Sequence, residues 1–177
     1  MKNFIVLPAA ALLASATALV GRQEPSGCPG NLEGNNWEFP HLIVPVNSQA
    51  PQDAYGTQYD GQVAPNSNST FFMFDIPLSD TGKSCELVFF LPDQSQSQQY
   101  SFSGGGNVDF ALTGPPTVLT TYANAPNVTA DYGTFKLSPG NAYNIANFPC
   151  PAGDRLGFKM SSNDTTFTYF QDYSQCP

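Results

Sequence analysis

The chain has little positive charge. Six lysines and arginines stand against 14 aspartates and glutamates, with a single histidine, for a formal net charge of −8. Such a surface repels nucleic acid and anionic lipid, and no basic patch offsets it, so neither is expected as a partner. Histidine is too scarce for most site chemistry. His41 alone would have to be the base of a nucleophilic triad, yet it lies in a strand-like apolar run and no Gly-x-Ser-x-Gly elbow accompanies it. The four cysteines contain no Cys-x-x-Cys, which removes the usual spacing of a zinc site. No D-x-[DN]-x-[DN]-G loop is present for calcium, so Asp53 and Asp60 read as parts of a solvated acidic loop. Gly104-Gly105-Gly106 is followed by no lysine and opens no helix, unlike a phosphate-cradling loop. No metal and no cofactor are expected.

A long, unbroken apolar run is also missing. The nearest approach is at the start, where Lys2 precedes Phe4 to Leu7 and Ala9 to Val20, broken by Pro8 and diluted by Ala, Ser and Thr. A transmembrane span needs about 20 strongly apolar residues. With the small-x-small site Ala16-Thr17-Ala18, the run reads instead as a secretory signal peptide, residues 1–18, cleaved after Ala18. Removing Lys2 leaves five basic residues against 14 acidic ones, a net charge of −9. No apolar tail suggests a C-terminal anchor, so the expectation is an exported protein, extracellular or in the cell wall, without a membrane partner.

Cys28, Cys85, Cys150 and Cys176 fit an oxidising compartment. Three pairings are open. The favoured one joins Cys85 to Cys150 within the domain and Cys28 to Cys176 at the mature ends, each long loop contributing about 4 kcal/mol in the chain-entropy model. Three Asn-x-Ser/Thr acceptors, at Asn68, Asn127 and Asn163, fall in polar stretches that read as loops.

Residues 19–36 read as an N-terminal arm, and 37–177 as a single domain. Its organising stretch is Cys85–Leu91, where Leu87, Phe89 and Leu91 face one way and Val88 and Phe90 the other. A strand apolar on both faces is expected at the centre of a sheet. Further strands are expected at Leu42–Val46 (an edge strand bracketed by prolines), Thr70–Ile76, Tyr100–Ser103, Val108–Leu112 and the β-branched Thr117–Tyr122. Gly133–Leu137, Tyr143–Phe148, Leu156–Met160 and Thr166–Phe170 complete the set. The glycine triplet is expected to turn one strand onto the next as a pair, and 47–69 to be one long polar loop. No sustained helical spacing follows the leader. The fold class is all-β, an antiparallel sandwich or jelly roll stapled by disulfides.

Several stretches together resemble a known family. They are Phe39-Pro40-His41-Leu42-Ile43-Val44-Pro45-Val46, Ala54-Tyr55-Gly56-Thr57, Phe74-Asp75-Ile76-Pro77 and Gly82-Lys83-Ser84-Cys85. Phe102-Ser103-Gly104, Phe148-Pro149-Cys150-Pro151-Ala152-Gly153 and Tyr169-Phe170-Gln171-Asp172-Tyr173 follow in order. The set resembles the secreted fungal proteins named after the C-terminal domain of a ubiquitin-three-binding protein (the But-type domain). The resemblance implies an extracellular or wall β-sandwich with Cys85 bonded to Cys150. It supplies no catalytic motif, and an exported chain would not meet a cytosolic ubiquitin-like pathway.

Candidate chemistry is correspondingly sparse. Asp75, Asp109, Asp131, Asp154 and Asp172 could supply the two carboxyls of a glycosidase, but each lies beside a turn or strand end where capping explains it. Tyr55 and Tyr59, four apart in a polar loop with Gln58 and Asp60, could stack on and hydrogen-bond a sugar; Tyr122, Tyr132 and Tyr173 are further surface candidates. The leading expectation is a non-catalytic, exported fungal glycoprotein that contacts cell-wall polysaccharide. A secreted effector or elicitor, acting on or recognised by a host plant through a host surface protein, comes second and a glycoside hydrolase third.

Overall fold

The computed structural model describes residues 37–94 and 100–171. The leader, the arm, Cys28, Cys176, Asp172 and Tyr173 lie outside the described residues. Ten strands follow in order: β1 (Leu42–Asn47), β2 (Asp60–Val63), β3 (Asn68–Asp75), β4 (Ser84–Leu91), β5 (Ser101–Gly104), β6 (Asn107–Thr113), β7 (Val128–Lys136), β8 (Asn141–Pro149), β9 (Arg155–Ser161) and β10 (Thr165–Phe170). One 3₁₀ turn, Leu78–Asp80, precedes β4. All pairings are antiparallel. No helix among the described residues is long and apolar enough to cross a membrane.

One layer is a five-stranded sheet in the order β1-β3-β9-β6-β7. The other is made of the three-stranded sheet β2-β10-β5 and the ribbon β4-β8. The layers form an antiparallel sandwich because alternate residues of nearly every strand are large and apolar, which gives each sheet one face to hide. Phe72 and Phe158 are cross-strand partners, as are Phe110 and Met160, so the inward rows of β3, β9 and β6 lie side by side. Phe167 of β10 is fully buried, with the rings of Tyr169, Phe102, Tyr100 and Phe89 centred 4.9, 5.3, 6.0 and 6.1 Å from its own. Burying such a ring contributes about 1.5–3 kcal/mol.

The central strand is β9, and β4 is not central. Among the described residues its only strand neighbour is β8, from Ser84 opposite Pro149 to Leu91 opposite Asn141. Periodicity reports which faces of a strand are apolar, not how many neighbours it has, and β4 is half-buried where full enclosure was expected. Leu156, Phe158 and Met160 give β9 its inward row. Its Gly157 matters as much: a side chain there would run into the Gly114 carbonyl, so this glycine lets the chain leaving β6 cross the outer face.

Three other expectations are corrected. The glycine triplet does not make a hairpin, because β5 pairs with β10 while β6 pairs with β7 and β9. It carries the chain from one layer to the other. Gly104 (φ 106°) lies where any Cβ would strike the Asp164 backbone, and Gly106 N–H donates to Thr165 Oγ1 at 2.8 Å. Thr117–Tyr122 is no strand: the Thr117 N–H donates to Thr120 Oγ1 (2.8 Å) and the Thr121 N–H to Asn124 Oδ1 (2.6 Å). Local side-chain bonds of this kind take over the backbone groups a ladder would use. The 47–69 loop contains β2, whose apolar content is one valine and which is held by pairing with β10. Asn68 therefore opens β3 instead of sitting in a loop.

Two-stranded ribbons are marginal alone. This one is closed by Cys85–Cys150, whose Cα atoms are 4.9 Å apart and 65 residues apart in sequence, beside the Cys150 N–H bond to the Lys83 carbonyl. Replacing both cysteines by serine is expected to lower the unfolding free energy by about 4 kcal/mol, measured by urea denaturation. Amide exchange should accelerate first in β4 and β8; uniform acceleration would argue against the ribbon as the weak unit.

Candidate functional site

The sequence-derived sugar candidates fall in two groups. Tyr55 is exposed, and Gln58 folds back so that its Nε2 donates to the Tyr55 carbonyl at 2.8 Å. The Gln58 N–H donates to the Ile43 carbonyl, also at 2.8 Å, which ties the segment to β1. Tyr59, 73% exposed, lies at the other end and stacks on Phe170, ring centres 6.3 Å apart at 28°. Asp60 is the cross-strand partner of Phe170, and the Gln171 N–H donates to the Tyr59 carbonyl at 2.9 Å. The aromatic platform is thus Tyr59 with Phe170, bordered by Asp60 and Gln171, rather than Tyr59 with Tyr55. Phe170 and Gln171 escaped the sequence reading because only the β2–β10 pairing brings them there. Of the other tyrosines, Tyr122 is exposed, whereas Tyr132 is half-buried against Phe158 and its phenol is pushed up by burial.

Three of the aspartates considered for hydrolysis, Asp75, Asp109 and Asp131, have their carboxylates hydrogen-bonded to other groups. Asp75 accepts from His41 Nδ1 at 2.9 Å and from Arg155 Nε at 2.8 Å. Arg155 reaches it because β3 and β9 place the two residues opposite one another. Asp109 accepts from the Thr134 hydroxyl, and Asp131 from the Gly133 N–H at 2.8 Å, at the irregularity of β7 where its pairing with β6 shifts register. His41 is exposed, edge-on to Phe39 at 5.5 Å, with Glu38 3.7 Å from its Nε2.

A second place emerges from the fold alone. A cleft of 590 Å³ opens where β4 runs past the ends of β3 and β9. Trp37, Phe74, Phe148, Leu156 and Phe158 give it an apolar wall, and Glu38, Asp80, Lys83 and Glu86 are its charges. Lys83 Nζ is held by Asp80 at 2.8 Å. Of the aspartates considered for hydrolysis, Asp75, Asp109, Asp131 and Asp154 do not line it. Among the described residues, no cluster of three or more histidine, cysteine or carboxylate side chains could hold a metal.

The acceptor asparagines differ. Asn127, just before β7, and Asn163, in the β9–β10 turn, are exposed, whereas Asn68 is half-buried with its amide donating to Gln62 Oε1 at 3.2 Å.

Two carboxyls are held below their ordinary value of 3.8. Asp75 is lowered first by its His41 hydrogen bond and then by Arg155; Asp164 is lowered first by the Thr165 hydroxyl (2.7 Å) and then by Asn107. A lowered folded pKa gives stability that is present above 3.8 and lost as pH falls through the folded value. The urea midpoint is therefore expected to fall as pH drops below 3.8. Asp164→Asn should flatten that acid limb while lowering the midpoint at neutral pH; an unchanged limb would place the acid sensitivity elsewhere.

Comparison with known proteins agrees with the fold. The profile described as ubiquitin 3 binding protein But2 C-terminal domain matches residues 38–175. Two uncharacterised but2-like proteins of Schizosaccharomyces pombe are each 28% identical over 142 residues, covering 76% of this chain and 30% and 37% of their own lengths. The chain spans about a third of the length of these curated relatives. With a match of this extent on a disulfide-closed antiparallel sandwich, the chain belongs to the But2 C-terminal domain family.

Proposed function

We propose that the chain is an exported, non-catalytic glycoprotein domain of the cell wall or extracellular space that binds polysaccharide on the Tyr59–Phe170 platform. The observation that carries this reading is the platform itself. Tyr59 turns a largely exposed ring to solvent, Phe170 backs it, and Asp60, the cross-strand partner of Phe170, stands at its border. Sugars bind such surfaces by laying apolar ring faces on aromatics while their hydroxyls find polar neighbours. The Cys85–Cys150 bond suits an oxidising compartment, and the leader-like first 18 residues suit export. The engagement of Asp75, Asp109 and Asp131 by other groups supports a non-catalytic role.

One observation favours a second reading, contact with a host protein. Residues 114–130 contain no charged side chain, and they present Val118, Leu119, Tyr122 and Val128 to solvent, Leu119 at 71% exposure. Surface apolar groups held in a fixed loop suit a protein contact.

The test is depletion of purified, deglycosylated protein by insoluble chitin and β-1,3-glucan, with the supernatant assayed for released sugar. Depletion without release is expected, and Tyr59→Ala should weaken it about tenfold or more. Release of reducing ends would make the chain a hydrolase. No depletion by either polymer would end the polysaccharide reading and favour the host-protein one. On expression through a eukaryotic secretory pathway, peptide mass spectrometry should find glycans at Asn127 and Asn163 and little at Asn68; an occupied Asn68 with the other two bare would reverse the ranking drawn from exposure.

A further inference from the structure

β4 has the sequence of an enclosed strand and the surroundings of an edge. Leu87, Phe89 and Leu91 alternate with Val88 and Phe90, yet among the described residues only β8 pairs with it. Exposed edges are usually blunted by proline, lysine or a covering segment. The β1 edge has Pro45 within it and the Gln58 N–H on its Ile43 carbonyl. The β7 edge ends in Lys136 and starts beside the acceptor Asn127. Ser84–Leu91 contains neither proline nor lysine.

The cleft runs along this undefended edge. Five successive β4 residues, Ser84 to Val88, line it, whereas β8 contributes Phe148. Successive strand residues point to opposite faces, so a cavity touching all five follows the backbone edge itself. At about 3.3 Å per residue, that frontage accepts roughly five residues of extended chain. The facing wall is apolar, with Trp37, Phe74 and Leu156. Its charge is lopsided: Lys83 is bonded to Asp80, Glu38 lies only near His41, and Glu86 has no ion-pair partner among the described residues.

We infer that this cleft binds an extended peptide that adds to β4 as a further strand, with alternate apolar side chains against the aromatic wall and a lysine or arginine opposite Glu86 and Glu38. Main-chain bonds give such additions their affinity, and the flanking pockets give their specificity. The occupant supplies the second neighbour that the β4 sequence is written for.

Trp37 is the only tryptophan and lies in the wall, so its fluorescence reports occupancy. The probe is an acetylated, amidated octapeptide alternating lysine and valine, titrated into the full chain. Saturable binding is expected. N-methylation of alternate residues, which removes the edge-facing N–H donors, should weaken it about tenfold or more. The exposed Glu86→Gln should weaken it several-fold and reduce its salt dependence, and an alternating glutamate–valine octapeptide should not bind. Four results would overturn the proposal. These are no saturable binding of the lysine–valine peptide, equal binding after N-methylation, a dimer by light scattering that buries Trp37 without peptide, or a Trp37 response to a chitin hexamer that displaces the peptide.

Discussion

The Phe89 ring touches all three sheets. It lies 5.7 Å from Phe110 in the five-stranded sheet, 6.1 and 5.4 Å from Phe167 and Tyr169 in the three-stranded sheet, and it belongs to the ribbon itself. The ribbon has no hydrogen-bonded strand neighbour among the described residues, so its place in the sandwich rests on such contacts, while the disulfide ties its own two strands together. Edge-to-face geometry fixes more than distance, because a ring that slips loses several favourable contacts together. What holds the ribbon against the other sheets is therefore aromatic packing, and among the described residues no strand pairs with its outer edge along the cleft.

The same arrangement explains the division between the two candidate surfaces. The Tyr59 platform stands where β2 begins and β10 ends, built by cross-strand pairing, and it offers a flat ring to solvent. The cleft lies where the ribbon and the five-stranded sheet diverge, and it offers an edge, a wall and unbalanced negative charge. A flat ring suits the face of a sugar. An open strand edge suits another backbone.

Much of this was legible in the residues. Alternation located β1, β3, β4, β6, β9 and β10 within a few positions, and Pro45 marked β1 as an edge. What alternation could not give was pairing. Nothing local in Cys85–Leu91 says that among the described residues only one strand pairs with it, and nothing in the glycine triplet says that Asp164, far along the chain, will pack on it. Thr117–Tyr122 looked like a strand because β-branched residues suit one, but Thr117, Thr120 and Thr121 use their hydroxyls to close turns. Tyr59 could be named from the sequence as a ring in a polar setting; Phe170 needed the β2–β10 register, and Glu38 and Glu86 needed the cleft.

The 65-residue interval between Cys85 and Cys150 also has a temporal meaning. Ribosomes add about 5–20 residues per second, so β4 is synthesised roughly 3 to 13 s before its disulfide partner exists. Throughout that interval an apolar strand has neither β8 nor Cys150 to engage. The nascent chain thus passes through a stage in which this apolar segment lacks its native partner, and oxidation can seal the ribbon only once Cys150 has been made.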